Sequence, residues 1–149
     1  MLNIRKATLN DVDALYILYM KHLTQHPPEQ PQDIKKCVEL LSVLIANPDY
    51  HLLVGESDGE VVSSVTIVVI RNLTHGLRPY SLIENVVTHS DFRNKGYASA
   101  MMKKAEEIAK ENNCYKIMLM TGSKMESTLK FYERCGFDTR HKTAFLKWL

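Results

Sequence analysis

Cysteine, charge of one sign and long hydrophobic runs are all scarce in this chain, and each scarcity excludes a class of protein. The three cysteines, Cys37, Cys114 and Cys135, are an odd number without Cys-x-x-Cys spacing, so neither a disulfide framework nor a zinc site is expected. The formal net charge is only +2 at pH 7 and the basic residues are scattered, which does not favour a nucleic-acid partner. Apolar runs such as Ile67 to Ile70 are far too short to span a bilayer, and the first residues have no signal-peptide core. We therefore expect a cytoplasmic protein that binds neither nucleic acid nor membrane.

Two nucleotide-binding patterns are also missing, and no metal site is indicated. The only candidate lysine for a P-loop precedes Gly96, and the three glycines of a dinucleotide fingerprint are absent. His22 and His26 have the i, i+4 spacing of a helix face, but Pro27 ends the helix there and no third ligand is evident. ATPase and NAD-dependent chemistry are therefore disfavoured, and no metal cofactor is expected.

Hydrophobic periodicity and turn residues predict the order of elements within one domain. The 149 residues and 45% hydrophobic content fit a single domain over residues 1–149. The Asp58-Gly59 pair between β-branched runs predicts a hairpin, and the proline-rich segment 26–31 predicts a loop between two helices. The expected elements are a strand at 2–5, a helix capped near Thr8 and Asp11, a helix over 34–45, the two hairpin strands, a loop at 72–79, a strand at 80–88, a helix at 97–111, a strand at 115–121, a helix at 124–134 and a final strand at 143–148.

The turn from Arg93 to Ala98 has the features of an anion site. It joins an apolar strand to a long amphipathic helix, so the free N–H groups of the helix N-terminus point outward. Gly96 lets a ligand approach the backbone closely, and Arg93 and Lys95 add positive charge. A helix cap without a ligand explains such a turn equally well, so the turn alone does not distinguish an anion site from an ordinary cap.

A second segment, Phe131 to Phe137, closes a later helix with aromatic residues and a glycine. Aromatic core packing around a glycine C-cap accounts for this segment when it is taken alone.

Together, the two segments resemble the GNAT superfamily of acetyl-CoA-dependent N-acetyltransferases. Arg93, Gly96 and Ala98 match the family pattern Gln/Arg-x-x-Gly-x-Gly/Ala. About one helix and one strand later, the pattern aromatic-Tyr-x-x-x-Gly-Phe is matched by Phe131, Tyr132, Gly136 and Phe137. The order of elements agrees with the family over nearly the whole chain, although the asparagine that many members place several residues before the tyrosine is absent.

The resemblance implies a mixed α/β (α+β) fold of three layers, in which helices flank a twisted mixed sheet. Two strands, near Val86 and near Met118, would splay apart and admit the pantetheine arm of acetyl-CoA. The implied cofactor contacts are backbone groups of Val86, Val87 and Thr88 for pantetheine, and of Arg93, Asn94, Lys95, Gly96, Tyr97, Ala98 and Ser99 for the pyrophosphate.

The same resemblance implies direct attack of a substrate amine on the acetyl thioester in a ternary complex. Because an alkyl amine with a pKa near ~10.4 is mostly protonated at neutral pH, a base is required. Glu84 is the candidate base, and Asn85 is the alternative cleft residue, since neighbouring strand residues face opposite ways. Tyr132 is the implied donor to the departing CoA thiolate, because its phenol stays protonated at neutral pH.

No motif defines the acceptor, which we expect to be a small-molecule or peptide amine. The family likeness implies that segments 22–32 and 72–79 shape its pocket, and the stretch from Cys114 to Ile117 is similar to glucosamine-phosphate acetyltransferases. Homodimers are common in the family, and Trp148 is expected to be a packing anchor or a dimer contact. The alternatives are a GNAT-like domain that binds acyl-CoA without turnover, and an acyltransferase that uses a hydroxyl acceptor or a longer acyl chain.

Overall fold

The computed structural model describes all residues, 1–149, and places one mixed sheet between layers of helices. The strands are β1 (Asn3–Lys6), β2 (Tyr50–Ser57), β3 (Glu60–Ile70), β4 (Tyr80–Thr88) and β5 (Ile117–Leu119). The helices are α1 (Val12–Leu18), α2 (Ile34–Ala46), α3 (Tyr97–Glu111) and α4 (Glu126–Arg134), and a π-helical turn (Tyr19–Leu23) extends α1. Every helix is too short or too polar to span a bilayer.

The five strands lie in chain order across the sheet, from β1 at one edge to β5 at the other. All neighbours are antiparallel except β4 and β5, which run parallel. Asp58 and Gly59 both have positive φ, which joins β2 to β3 in the expected hairpin. The predicted mixed α/β fold, with a mixed sheet flanked by helices, is confirmed.

The side-chain alternation of β2 separates two hydrophobic cores, one on each face of the sheet. Leu53 belongs to the core formed with α3, where Met101 and Ala105 are fully buried. Its neighbours Leu52 and Val54 point the other way and pack with α1 and α2. Burial on both faces fixes the register, since a slip of one residue would exchange the two sets.

The start of α1 is anchored by a buried carboxylate. Asp11 is 5% exposed, accepts a hydrogen bond from the backbone N–H of Thr8 at 2.7 Å, and bonds both terminal nitrogens of the Arg5 guanidinium at 2.8 Å. The predicted cap at Thr8 and Asp11 is therefore confirmed, and the Arg5 guanidinium holds the pKa of Asp11 below its usual range.

Strand β4 contains one more residue than the strand that it pairs with. Between the pairs Ser64↔Val87 and Thr66↔Glu84 there is one residue on β3, and there are two on β4, Asn85 and Val86. Asn85 has a φ of 53°, so the extra residue forms a β-bulge in the left-handed region.

The last part of the chain departs from the sequence prediction. The expected strand at 115–121 shrinks to three residues, because β5 pairs only with residues 81–83 of β4. The expected final strand at 143–148 is wrong: this segment has no neighbouring strand, and Trp148 is 87% exposed rather than a packing anchor. The cysteines are free and half-buried, in keeping with the absence of a disulfide framework.

Candidate active site

A cleft of about 920 Å³ opens where β4 and β5 part. The two strands pair only as far as Ile83 and Leu119, and the rest of β4 continues without a partner on that side. One wall of the cleft is the free half of β4, the other is the segment after β5 together with α4, and the turn before α3 closes one end. The sheet therefore splays between the strands where the sequence predicted it.

The turn before α3 presents backbone groups to the cleft. Gly96 has a φ of 79° and lies at the N-cap of α3, so the N–H groups of Tyr97, Ala98 and Ser99 begin the helix without helical partners. An added Cβ on Gly96 would meet nothing within 4 Å. A side chain there would therefore cause no steric clash with neighbours, and its cost would come only from the positive φ of the backbone. Asn94, with a φ of 61°, is the other left-handed residue of the turn.

The side chains of this turn divide between the cleft and the surrounding structure. The Arg93 Nε donates to the Thr88 carbonyl oxygen at 3.2 Å, which ties the turn to the end of β4. The Lys95 ammonium lies 4.6 Å from the centre of the Phe92 ring, and Lys95 is the one predicted site residue that does not line the cleft. Its charge is therefore held on the outside of the turn.

The bulge in β4 changes which side chains reach the cleft. The sequence predicted strict alternation, so that only one of Glu84 and Asn85 would face it, but both line the cleft. Asn85 and Val86 have no ladder partner on β3, and the Val87 carbonyl oxygen accepts from the Ser63 hydroxyl at 2.8 Å. The departure has a physical reason, because a bulge breaks the period of two.

Glu84 and Tyr132 bring acid–base chemistry into the cleft. Glu84 is the only carboxylate among the lining residues. Tyr132 is half-buried, with ring centres 5.1 Å from Phe131 and 6.3 Å from Phe137. Burial raises the pKa of the Tyr132 phenol, and the charges of Cys135 and Glu84 raise it further. The carboxylate and the phenol therefore lie within electrostatic range of each other.

Buried hydroxyls lie on the sheet beside Glu84. Thr66 pairs with Glu84 across the two strands, is 1% exposed, and its Oγ1 has no hydrogen-bond partner. The Tyr19 hydroxyl, from the π-helical turn after α1, bonds the Ser64 hydroxyl at 3.2 Å and faces Thr66. Burial raises the pKa of Tyr19, while the hydrogen bond with the Ser64 hydroxyl opposes the rise. Sequence patterns gave no signal for this cluster, because it joins residues from distant segments.

Of the two segments that the family likeness implied for the acceptor pocket, the one after α1 lines the cleft and the loop 72–79 does not. His22 lines the cleft, and its Nδ1 accepts from the backbone N–H of Ser90 at 3.4 Å. Burial lowers the pKa of His22, and the charge of the adjacent His89, whose ring centre is 4.1 Å away, lowers it further. Residues of the loop 72–79 instead line a separate hollow of about 370 Å³.

Several lining residues were missed by the sequence analysis. They follow β5 or end α4, and include Thr121, Gly122, Ser123 and Arg134. The sequence carried no signal for them, because it predicted a strand as far as residue 121, and the shortness of β5 shows only in its pairing with β4. No three side chains among His, Cys, Asp and Glu gather as ligands for a metal ion.

Comparison with known proteins agrees with this geometry. Curated relatives include the glucosamine 6-phosphate N-acetyltransferase of Trypanosoma brucei brucei, which is 26% identical over 81% of this chain and 79% of its own length. A putative acetyltransferase from Agrobacterium tumefaciens superposes with a TM-score of 0.90 at 34% identity, covering 99% of both chains. A predicted acetyltransferase from Clostridium acetobutylicum, solved with acetyl-CoA, has the same fold, with a TM-score of 0.77, 23% identity and coverage of 99% of this chain and 96% of that one. The model of the acetyltransferase (GNAT) family matches residues 12–137, and the chain belongs to this family.

Proposed function

We infer that this acetyltransferase moves the acetyl group of acetyl-CoA directly to a primary amine in a ternary complex. The observation that carries the proposal is that Glu84, the only carboxylate in the cleft, and the half-buried phenol of Tyr132 line the same cleft. A reaction that takes a proton from an amine and returns one to a thiolate needs one group of each kind.

The cofactor would lie along the free half of β4. Beyond Ile83 the backbone of β4 has no partner strand on the β5 side and is available to the amide groups of pantetheine, and the free N–H groups that follow Gly96 suit the pyrophosphate. Arg93 is tied to the Thr88 carbonyl at the cleft wall, so its positive charge lies beside these N–H groups. Binding through backbone tolerates varied side chains in the turn.

Glu84 would serve as the base. It accepts a proton from the acceptor nitrogen, directly or through water, as that nitrogen attacks the carbonyl carbon of the thioester. Asn85, beside it on the bulge, can hold a polar group of the acceptor in place.

Tyr132 would serve as the acid. When the tetrahedral adduct collapses and the carbon–sulfur bond breaks, the phenol donates its proton to the CoA thiolate. Since burial raises its pKa, the phenol is fully protonated at neutral pH. A final exchange of a proton through solvent restores both residues.

For the acceptor, we propose an amino sugar phosphate. The relative in Trypanosoma is a glucosamine 6-phosphate N-acetyltransferase. Arg93 and Arg134 line the cleft beside a single carboxylate, and with Arg93 at the pyrophosphate turn, Arg134 remains for a phosphate on the acceptor. Arg134, at the end of α4, makes no ion pair in the free protein.

The test is thiol release from acetyl-CoA with a panel of amines, namely glucosamine 6-phosphate, glucosamine and a peptide with a free N-terminus. We expect Glu84→Gln and Tyr132→Phe each to lower kcat by about 10²- to 10⁴-fold while the dissociation constant for acetyl-CoA stays unchanged. Matched controls are Glu60→Gln, at an exposed position of β3, and Tyr115→Phe, on a ring stacked against His75 outside the cleft.

The outcomes separate the alternatives. Binding of acetyl-CoA without thiol release for any amine would indicate the non-catalytic sensor. Equal rates for glucosamine and glucosamine 6-phosphate would remove the phosphate from the proposal and leave the amine acceptor in place. Faster turnover with a longer acyl-CoA would replace acetyl-CoA as the proposed donor. Faster turnover with an alcohol would replace the amine as the proposed acceptor.

A further inference from the structure

The segment after α1 (residues 19–25) covers the face of the sheet that carries the proposed base. Its first residue, Tyr19, bonds the Ser64 hydroxyl at 3.2 Å. Ser64 and Thr66 are two residues apart on β3 and share one face of the sheet, and Glu84 lies opposite Thr66 on that face. The segment and Glu84 therefore lie on one side of the sheet, where an acceptor amine must reach the base.

A π-helical turn sets the course of this segment. The Thr24 N–H donates to the Tyr19 carbonyl oxygen at 2.9 Å, five residues back along the chain. Turns of this kind are rare and are found frequently at functional sites. Three residues of the segment, His22, Leu23 and Gln25, line the cleft.

His22 ties this segment to the end of β4. Its Nδ1 accepts from the Ser90 N–H at 3.4 Å, and its ring centre lies 4.1 Å from that of His89. Because Nδ1 accepts a hydrogen bond, the neutral ring carries its proton on Nε2. Only the neutral form can make this contact, since a protonated ring has an N–H on both nitrogens.

A row of aromatic rings continues from this contact to the turn before α3. The His89 ring meets Phe92 edge-on at 5.7 Å between centres, and Phe92 stacks on Tyr97 at 6.5 Å. Tyr97 is the first residue of α3, and its hydroxyl bonds the Ser57 hydroxyl at 3.2 Å. The row relates the position of His22 to the turn that is proposed to hold the pyrophosphate.

We propose that His22 is a positioning residue for acetyl transfer: by accepting the Ser90 N–H, it holds the segment after α1 in place as the wall against which the acceptor binds. This inference rests on the proposed transfer to an amine. His22 touches neither reacting group in this role, and it sets the distance between the acceptor wall and the cofactor. Loss of the contact should therefore raise the KM for the acceptor, while kcat and the dissociation constant for acetyl-CoA change little.

The surroundings of His22 favour its neutral form. Burial lowers the pKa of His22 from the ordinary value of 6.5, and the charges of His89, Arg93 and Lys21 lower it further. The carboxylate of Asp91 acts in the opposite direction. The contact is therefore complete above pH 6.5 and is lost as the pH falls through the lowered pKa.

The first measurement needs no substrate. Nitrogen NMR of the imidazole rings is recorded on the free protein over a pH series, and the His22 signals are assigned by their loss in His22→Asn. We expect the proton of the neutral ring on Nε2 and titration below 6.5. A proton on Nδ1, or titration at or above 6.5, would overturn the proposal.

The second measurement is the KM for glucosamine 6-phosphate of two variants relative to the wild type. His22→Asn puts a side-chain oxygen that does not titrate in the place of Nδ1, so its KM should match that of the wild type at about pH 8. The wild-type KM should exceed that of His22→Asn at least about threefold at about pH 5.5, with equal kcat values. His22→Leu, which cannot accept a hydrogen bond, should raise KM about tenfold at about pH 8. Protonation of the amine cancels in these ratios, because the acceptor is the same.

The control is His141→Asn, at an exposed position outside the cleft, which should leave the KM and its pH dependence unchanged. Equal KM values for His22→Asn and His22→Leu at about pH 8, or an unaltered pH dependence in His22→Asn, would overturn the role of His22 alone. An absence of thiol release from the wild type would instead count against the acetyl transfer itself, so the two failures are distinguishable.

Discussion

Thr66 stands directly opposite Glu84 on the neighbouring antiparallel strand, and its hydroxyl is buried without a hydrogen-bond partner. Directly opposed residues place their Cβ atoms about 4.5–5.5 Å apart on the same face of the sheet. The hydroxyl is therefore a polar group next to the proposed base that lowers the stability of the free protein.

Replacing Thr66 with valine tests this relationship. A buried hydroxyl without a partner destabilises the fold, so Thr66→Val should raise the free energy of unfolding by about 1 kcal/mol. The same change should lower kcat several-fold, because a methyl group replaces the polar neighbour of the carboxylate, while acetyl-CoA binding is unchanged. Denaturant unfolding and steady-state kinetics check the two effects. Ser81→Ala, which also removes a buried unpartnered hydroxyl, is the control and should leave kcat as it is.

The pH dependence of turnover should reflect the buried phenol. Burial raises the pKa of Tyr132 above the usual value of 10.0, so the donor form persists as the pH rises to that value. At saturating substrates, kcat should show no loss from Tyr132 ionisation below about pH 10. A decline centred near pH 8 that disappears in Tyr132→Phe would contradict this expectation, since it would place the phenol pKa below its usual value.

Replacing Gly96 with alanine should have two separable effects, one on the stability of the fold and one on acetyl-CoA binding. Gly96 and Gly59 both have positive φ and open space around a new Cβ, so alanine at either position should destabilise the fold by about 1–2 kcal/mol. Only Gly96→Ala should also weaken acetyl-CoA binding, which isothermal titration would measure. If Gly59→Ala weakened binding by the same factor, the turn before α3 would not be the phosphate site.

The ion pair between the partly exposed Arg5 and the buried Asp11 predicts an acid dependence of stability. Asp11→Asn should lower the free energy of unfolding at pH 7 by about 1–2 kcal/mol, because Arg5 loses one of its two carboxylate partners and keeps Glu56. The folded pKa of Asp11 lies below its usual value of 3.8, so the stabilisation is present above that value and is lost as the pH falls through the folded pKa.

The control for this ion pair is the exposed one between Asp49 and Arg71, where Asp49→Asn should change stability by less than about 1 kcal/mol. Unfolding curves at pH 7 and pH 3 measure both. An Asp11→Asn protein that keeps the full acid dependence of the wild type would rule out the assignment.

Local signals were enough to predict most of the fold. Strand Tyr80–Thr88 and helix Tyr97–Glu111 have the predicted bounds, because a β-branched run and an amphipathic period each end at unambiguous turn residues. The segment 143–148 has an equally strong local preference for extended backbone, yet the expected strand does not form. A strand needs a partner, and no property of the segment itself specifies one.

The candidate site was predictable in its backbone and less so in its side chains. The strand-to-helix turn and Tyr132 follow from short patterns, and the structure places both at one cleft. The presence of Glu84 and Asn85 together depends on an extra residue in β4, which only the pairing with β3 reveals. The Tyr19, Ser64 and Thr66 hydroxyls meet through tertiary packing and were equally invisible.

The bulge makes the wall of the cleft sensitive to the length of β4. Deleting Asn85 or Val86 would leave one residue opposite Val65 and restore regular pairing, with Glu84 still opposite Thr66 and Val87 still opposite Ser64. Glu84 and its neighbour would then point to opposite sides of the sheet, and only one of them could reach the cleft. A substitution at Asn85 changes one contact, whereas this deletion removes the second polar side chain from the wall. Among natural variants of this protein, gaps at the bulge should therefore be rarer than replacements.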